Sequence, residues 1–295
     1  MDVSELTVDL EDGRSLDVAL GGPAEGSVVV LHHGTPGSAR PFRTFVDAAS
    51  VRGIRLVSYA RPGYAGSSRL EGRSIADCAA DVLGIVDHLG VDRFSTMGWS
   101  GGGPHALACA ALLPERVRAC ATIAGVGPWG AEGLDFLAGM APENHEEFGA
   151  ALESADALQA FLEPEAKKLA RVTGGQVAAA LGGLVSDVDA SALTGEFADY
   201  LAATLRDAVR DGIWGWFDDD LAFTRPWGFD LSAIRVPVSV WQGAQDLMVP
   251  FAHGQWLAAH IPGARPMLRP EHGHLSLAVA AFGASLDDLM AVSEA

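Results

Sequence analysis

The sequence is short of positive charge, poor in cysteine and without a long apolar run. Among its 295 residues, 20 lysines and arginines stand against 38 aspartates and glutamates, a formal charge of −18. Such an acidic chain repels phosphate backbones and anionic lipid headgroups, which argues against nucleic acid and membrane surfaces as partners. No apolar stretch reaches the length that crosses a bilayer. The opening Met1-Asp2-Val3-Ser4-Glu5-Leu6 lacks the charged-then-apolar pattern of a secretory leader. The three cysteines, Cys78, Cys109 and Cys120, show no C-x-x-C spacing, and none is flanked like a nucleophile. Reduced, buried thiols in a cytoplasmic protein are expected. Residues at metal-ligand spacing are missing, as is any P-loop or G-x-G-x-x-G fingerprint. No metal or other cofactor is expected, and the partner expected is a small-molecule substrate. The sequence specifies no oligomeric state.

What is present is a globular composition, 49% hydrophobic and 20% charged, long enough for one large domain or for a core with an insertion. Residues 3–10 and 14–20 alternate in hydrophobicity around Glu11-Asp12-Gly13, which predicts an antiparallel hairpin. Short continuous apolar runs then recur at 27–31, 54–60, 94–97, 119–124 and 236–241, and a short strand is expected near 264–268. Runs of this kind suit strands buried on both faces. Amphipathic stretches separate them, at 41–51, from Ser74 to about Leu89, at 104–113 and at 251–260, and a last helix runs to about Met290. Alternation of this kind predicts an α/β fold with a mostly parallel sheet flanked by helices. Ligands in such sheets bind beyond the carboxyl ends of the strands.

The alternation breaks between 129 and 228, where the pattern is helical at 153–162, 165–172, 176–181 and 193–209. The expected organisation is a core of residues 1–128 and 229–295 with a helical insertion of 129–228 lying over the strand ends. Four of the seven tryptophans, Trp129, Trp214, Trp216 and Trp227, fall in that insertion. They either line an apolar pocket or fasten the insertion to the core. Trp129, Trp214 and Trp216 are taken as candidate substrate-binding residues, together with Trp99 and Met248. The acidic run Asp218-Asp219-Asp220 reads as a solvated face or turn.

The chemistry centres on Gly98-Trp99-Ser100-Gly101-Gly102, a G-x-S-x-G between a predicted strand and a predicted helix. A strand that reverses at once into a helix strains its middle residue, and a Cβ on a flanking position would clash. The turn lifts the Ser100 hydroxyl clear of the sheet. A serine hydroxyl needs an adjacent base, itself oriented by a third group. His272 and His274 both qualify as the base; His274 is favoured because Gly273 frees the backbone ahead of it. Asp246, at a strand end before Leu247-Met248-Val249-Pro250, is the candidate orienting acid, with a turn aspartate capping the next helix as the alternative. The backbone N–H groups of Gly101 and Thr35 are the candidate oxyanion hole, since Pro36 has none to give. His32 and His33 are expected to hold that loop in shape.

These stretches resemble the α/β-hydrolase superfamily over nearly the whole chain. The resemblance rests on His33-Gly34-Thr35-Pro36-Gly37, Arg61-Pro62-Gly63-Tyr64-Ala65-Gly66-Ser67, the Ser100 turn, Gly243-Ala244-Gln245-Asp246 before Val249-Pro250, and Gly273-His274, in the family's order of nucleophile, acid and base. It implies that the insertion is the helical cap between the sixth and seventh strands. Serine rather than aspartate at the turn argues against the haloalkane dehalogenase and epoxide hydrolase branches. The Thr35-Pro36-Gly37 loop and the cap are similar to proline iminopeptidases, whose loop usually reads His-Gly-Gly-Pro-Gly. Three functions follow as expectations. The favoured one is a cofactor-free serine esterase acting on a small or medium apolar ester. The second is an aminopeptidase or amidase, marked by a cap carboxylate such as Glu143, Glu146 or Glu147 within reach of Ser100. The third is a binding protein that no longer turns over.

Overall fold

The short apolar runs are strands of one sheet. A computed structural model describes residues 3–293; Met1, Asp2, Glu294 and Ala295, assigned above to the core, lie outside the described residues. The strands are β1 (Ser4–Asp9), β2 (Ser15–Gly21), β3 (Ser27–His32), β4 (Ile54–Tyr59), β5 (Phe94–Trp99), β6 (Val117–Ile123), β7 (Val238–Gly243) and β8 (Arg265–Arg269). They form an eight-stranded sheet in the order β1-β2-β4-β3-β5-β6-β7-β8. β2 runs antiparallel to both its neighbours, and all other pairings are parallel.

Along β3, Val29 and Leu31 pack on one side of the sheet with α1 (Arg43–Ser50), while Val28 and Val30 pack on the other with α2 (Cys78–His88) and α3 (Gly102–Leu112). That period of two, apolar on both faces, is what made the strand legible as an unbroken run. Cys78, Cys109 and Cys120 are all buried, and none forms a disulfide. Among the described residues no helix is long and apolar enough to cross a membrane.

Between β6 and β7 the chain is helical: α4 (Pro142–Glu153), α5 (Ala155–Leu169), α6 (Val177–Leu181), α7 (Asp187–Ala192), α8 (Gly195–Ala208) and α9 (Trp214–Phe223). α10 (Phe251–His260) and α11 (His274–Ser293) complete the core. Two expected helices, 153–162 and 165–172, are in fact the single α5. Pro164 forfeits one backbone bond inside it, but buried Leu158, Leu162, Ala166 and Leu169 hold both halves against the core. α4, α7 and α9 were not expected.

The acidic run is the clearest departure. Asp218, Asp219 and Asp220 lie in α9 with 1%, 0% and 0% exposure, so they form no solvated face or turn. The partners of Asp218 and Asp219 are arginines of the segment after β4. Arg69 binds Asp218 at 2.8 Å, and Arg61 and Arg73 bind Asp219 at 2.6 and 2.7 Å. Burial would push Asp219 up, but the two guanidiniums and His105 hold its carboxyl well below the usual carboxylate range. Removing one side of such a buried pair costs about 3–5 kcal/mol, so these contacts fasten α9 to the core.

Candidate active site

Ser100 sits where β5 turns into α3, at φ +57°, a conformation that non-glycine residues keep only where the surroundings enforce it. Its N–H donates to the Ile123 carbonyl of β6 and its carbonyl accepts from Gly103 N–H, both at 2.9 Å. A Cβ on Gly98 would run into the Gly102 carbonyl, so the turn closes this tightly only with glycine there. The half-buried hydroxyl faces a cavity of about 430 Å³.

His274, the first residue of α11, lines the same cavity. Its Nδ1 lies 2.8 Å from Asp246 Oδ2. Asp246 Oδ1 accepts from Met248 N–H at 2.9 Å and Val249 N–H at 2.8 Å, and Oδ2 also accepts from Gln242 Nε2 at 3.1 Å. Asp246 thus shapes the turn and partners the imidazole, but it does not cap α10, which starts after Pro250 with no side-chain cap bond. A carboxylate can only accept, so Nδ1 donates to it and Nε2 keeps its lone pair toward the cavity side. His272 points elsewhere, 26% exposed and 3.8 Å from Glu271.

Burial works against a charged His274, but the charge and hydrogen bond of Asp246, with the charge of Asp189, outweigh it and hold the imidazole above its ordinary value. If neutral His274 takes the serine proton, activity is lost as pH falls through that raised value. kcat/KM is therefore expected to drop on the acid side through an apparent pKa above about 6.5. A pH–rate profile with its acid limb centred below the ordinary imidazole value would contradict this.

Thr35 and Gly101 line the cavity beside Ser100, and a Cβ on Gly34 would lie 3.4 Å from that of Ser100. The Thr35 hydroxyl donates to Asp219 at 2.7 Å. Fully buried Arg61 braces this loop by donating to the carbonyls of His33 at 2.5 Å and Gly34 at 3.0 Å. Tyr64 adds a bond to Asp219 at 2.8 Å. His33 accepts the Arg61 N–H at 3.1 Å on Nε2 and donates from Nδ1 to the Gly34 carbonyl at 2.6 Å. His32 bonds Tyr59 and Thr96. Burial, with Arg61 nearby, lowers His32 to about 3 and lowers His33 as well. Both are neutral; His33 bonds the loop itself, whereas His32 ties β3 to β4 and β5 just ahead of it.

Trp99, Met248 and Trp216 line the cavity, with Phe148, Phe161 and Tyr200. Trp129 and Trp214 do not. Trp129 packs edge-on against Phe136 at 5.1 Å, and Trp214 lies under Arg69, 4.1 Å from ring to guanidinium. Glu143, Glu146 and Glu147 all line it, joined by Glu165 and by Asp220 of the run expected to be solvated, neither of them expected at the cavity. Glu147 accepts the Trp216 indole N–H at 2.6 Å. Asp220 is fully buried, and the Glu147 carboxyl is its side-chain neighbour rather than any arginine or lysine. Burial first, and then the charge of Glu147, push Asp220 well above the usual carboxylate range. Burial also raises Glu147.

A third missed residue is Asp189 of α7, whose carboxylate binds the backbone at the start of α11. Neither Asp189 nor Asp220 carries a local signal, because each owes its position to partners distant in sequence. Among the described residues no group of three His, Cys, Asp or Glu is arranged to hold a metal ion.

A family model described as the alpha/beta hydrolase fold matches residues 27–281. A pimeloyl-[acyl-carrier protein] methyl ester esterase of Nitrosomonas europaea is 27% identical over 261 residues, 84% of this chain and 89% of that protein. Epoxide hydrolase B of Mycobacterium tuberculosis is 32% identical over 119 residues, 39% of this chain, and the match spans only a third (33%) of that relative's length. The enol-lactonase of Burkholderia xenovorans superposes with a TM-score of 0.70 at 22% identity, over 97% of this chain and 100% of that one. At that identity the likeness speaks for the fold alone.

Proposed function

Since the chain belongs to the α/β-hydrolase family, we propose that it is a cofactor-free serine hydrolase cleaving esters of small or medium apolar acids or alcohols. One observation carries the reading: Ser100, held at φ +57°, shares a cavity with a His274 bonded to Asp246. In this mechanism Ser100 Oγ attacks the ester carbonyl and His274 Nε2 takes its proton. The N–H groups of Thr35 and Gly101 bind the oxyanion. His274 returns the proton to the departing alcohol, leaving an acyl-serine, and water activated by the same imidazole releases the acid. Asp246 holds the ring and stabilises its cationic form. Residues 129–228 act as a cap whose apolar side chains receive the substrate over a core of 1–128 and 229–295. A serine at position 100 speaks against epoxide opening by an aspartate nucleophile, despite the partial likeness to an epoxide hydrolase. A turnover screen of p-nitrophenyl esters of increasing chain length, beside aminoacyl-naphthylamides, tests the proposal. Hydrolysis of the shorter esters is expected; no turnover of any ester would overturn it.

A second reading has its own support. Fully buried Asp220 and half-buried Glu147 are two carboxyls in the cavity, with no protein cation joined to either by a hydrogen bond or ion pair among the described residues. Such a pair holds either a shared proton or a cation, and an ammonium group on the substrate fits between aromatic walls. This is what an aminopeptidase or amidase of the proline iminopeptidase kind would require. A buried charge-assisted hydrogen bond contributes roughly 1.5–3 kcal/mol, or about tenfold or more in kcat/KM. An aminoacyl ester is therefore expected to outrun its neutral isostere by that factor, and Asp220→Asn to remove the preference. Equal rates for the two esters would exclude this reading.

A further inference from the structure

We propose that Asp189 is a positioning residue for the base: from within the helical segment it pins the backbone that aims His274 at Ser100. The role assigned to His274 rests on the hydrolase reading above; the contact itself does not. Asp189 lies in the six-residue α7 and is fully buried. Its Oδ2 accepts the N–H of His274 at 2.9 Å, and its Oδ1 accepts those of Leu275 at 2.9 Å and Ser276 at 2.8 Å. These belong to the first turn of α11, where helix N–H groups have no partner within the helix. A helix ordinarily satisfies them with the side chain just ahead of it. Here that position is Gly273, and a Cβ on it would come within 2.5 Å of the Asp189 carboxylate. The chain leaves its own cap out, and an aspartate 85 positions away fills the space. The Ser276 hydroxyl adds a local bond, accepting Gly273 N–H at 2.8 Å.

His274 is thereby held at two ends, its backbone by Asp189 and its ring by Asp246. The groups facing the imidazole are Asp246 from the loop after β7, Asp189 from α7 and the Trp99 ring at 5.7 Å. On its own loop, Glu271 and the partly exposed His272 interact with each other. Asp189 thus contributes negative charge as well as geometry, and the insertion becomes part of the catalytic apparatus beyond its role as a cover.

The test compares kcat, KM and the pH profile of the parent with Asp189→Asn, Asp189→Ala, Gly273→Ala and the Asp189→Ala/Gly273→Ala double variant on a small ester. Asp189→Asn is expected to lower kcat about tenfold, the scale set by a sub-ångström misplacement, with KM changed by no more than a few-fold. Its acid limb moves to lower pH because a negative charge beside the imidazole is gone. Gly273→Ala costs activity in the parent and little in the Asp189→Ala background, a non-additivity specific to this contact. An NMR titration of the His274 ring reads the same downward shift without turnover. A parent protein that hydrolyses nothing would therefore overturn the hydrolase reading while the ring titration still decides this one. Unchanged kcat and ring titration in Asp189→Asn, or a Gly273→Ala cost equal in both backgrounds, would overturn the proposal. Should Asp189→Ala fail to fold, Asp189→Asn alone decides.

Discussion

Replacing Ser100 by alanine is expected to lower kcat/KM for the best ester by about a thousandfold or more, leaving the melting temperature little changed. The size follows from the proposed role. Without the hydroxyl no acyl-enzyme forms, and only the oxyanion donors and substrate binding remain to accelerate attack by water. The small effect on stability follows from the site. The substitution removes one oxygen from a half-buried side chain, while the turn itself is held by backbone bonds to Ile123 and Gly103. Steady-state kinetics with thermal melting of the same preparation checks both parts. A purified, folded variant retaining most of its activity would remove Ser100 from the mechanism.

His274→Ala is expected to be nearly as damaging, because nucleophile and base act as a unit and losing either disables both. The informative control is His272→Ala, two positions away, which is expected to change kcat/KM by no more than a few-fold. His272 lies beside Glu271, whereas His274 is buried against Asp246. The reverse ranking in parallel kinetic measurements would mean that the loop presents the other imidazole to Ser100.

The parts of the molecule that could be read in advance are those whose cause is local. The Ser100 turn announces itself because Gly98 is required for steric reasons within the motif. The parallel strands show as unbroken apolar runs because both faces are covered. Asp246 could be picked out as a strand-end acid, and Gly273 pointed to His274. What escaped is set by residues distant in the chain. Asp218 and Asp219 look like a solvated run until Arg61, Arg69 and Arg73 are folded against them. Asp189 is invisible as a helix cap because it is not next to the helix it caps. The tryptophans divide for the same reason. Composition could not tell that Trp216 reaches the cavity while Trp214 stacks under Arg69. Helix boundaries in the insertion failed at Pro164, where tertiary packing overrides a local breaker.

The central claim is that Ser100 is a nucleophile activated by His274. Intact-mass analysis after exposure to a fluorophosphonate, followed by peptide mapping, tests it most directly, since the reagent reacts covalently with an activated serine whatever the natural substrate. The account predicts one adduct per chain, mapped to Ser100, absent in Ser100→Ala and greatly slowed in His274→Ala. No adduct on the folded parent protein, or an adduct on another residue that survives Ser100→Ala, would contradict it.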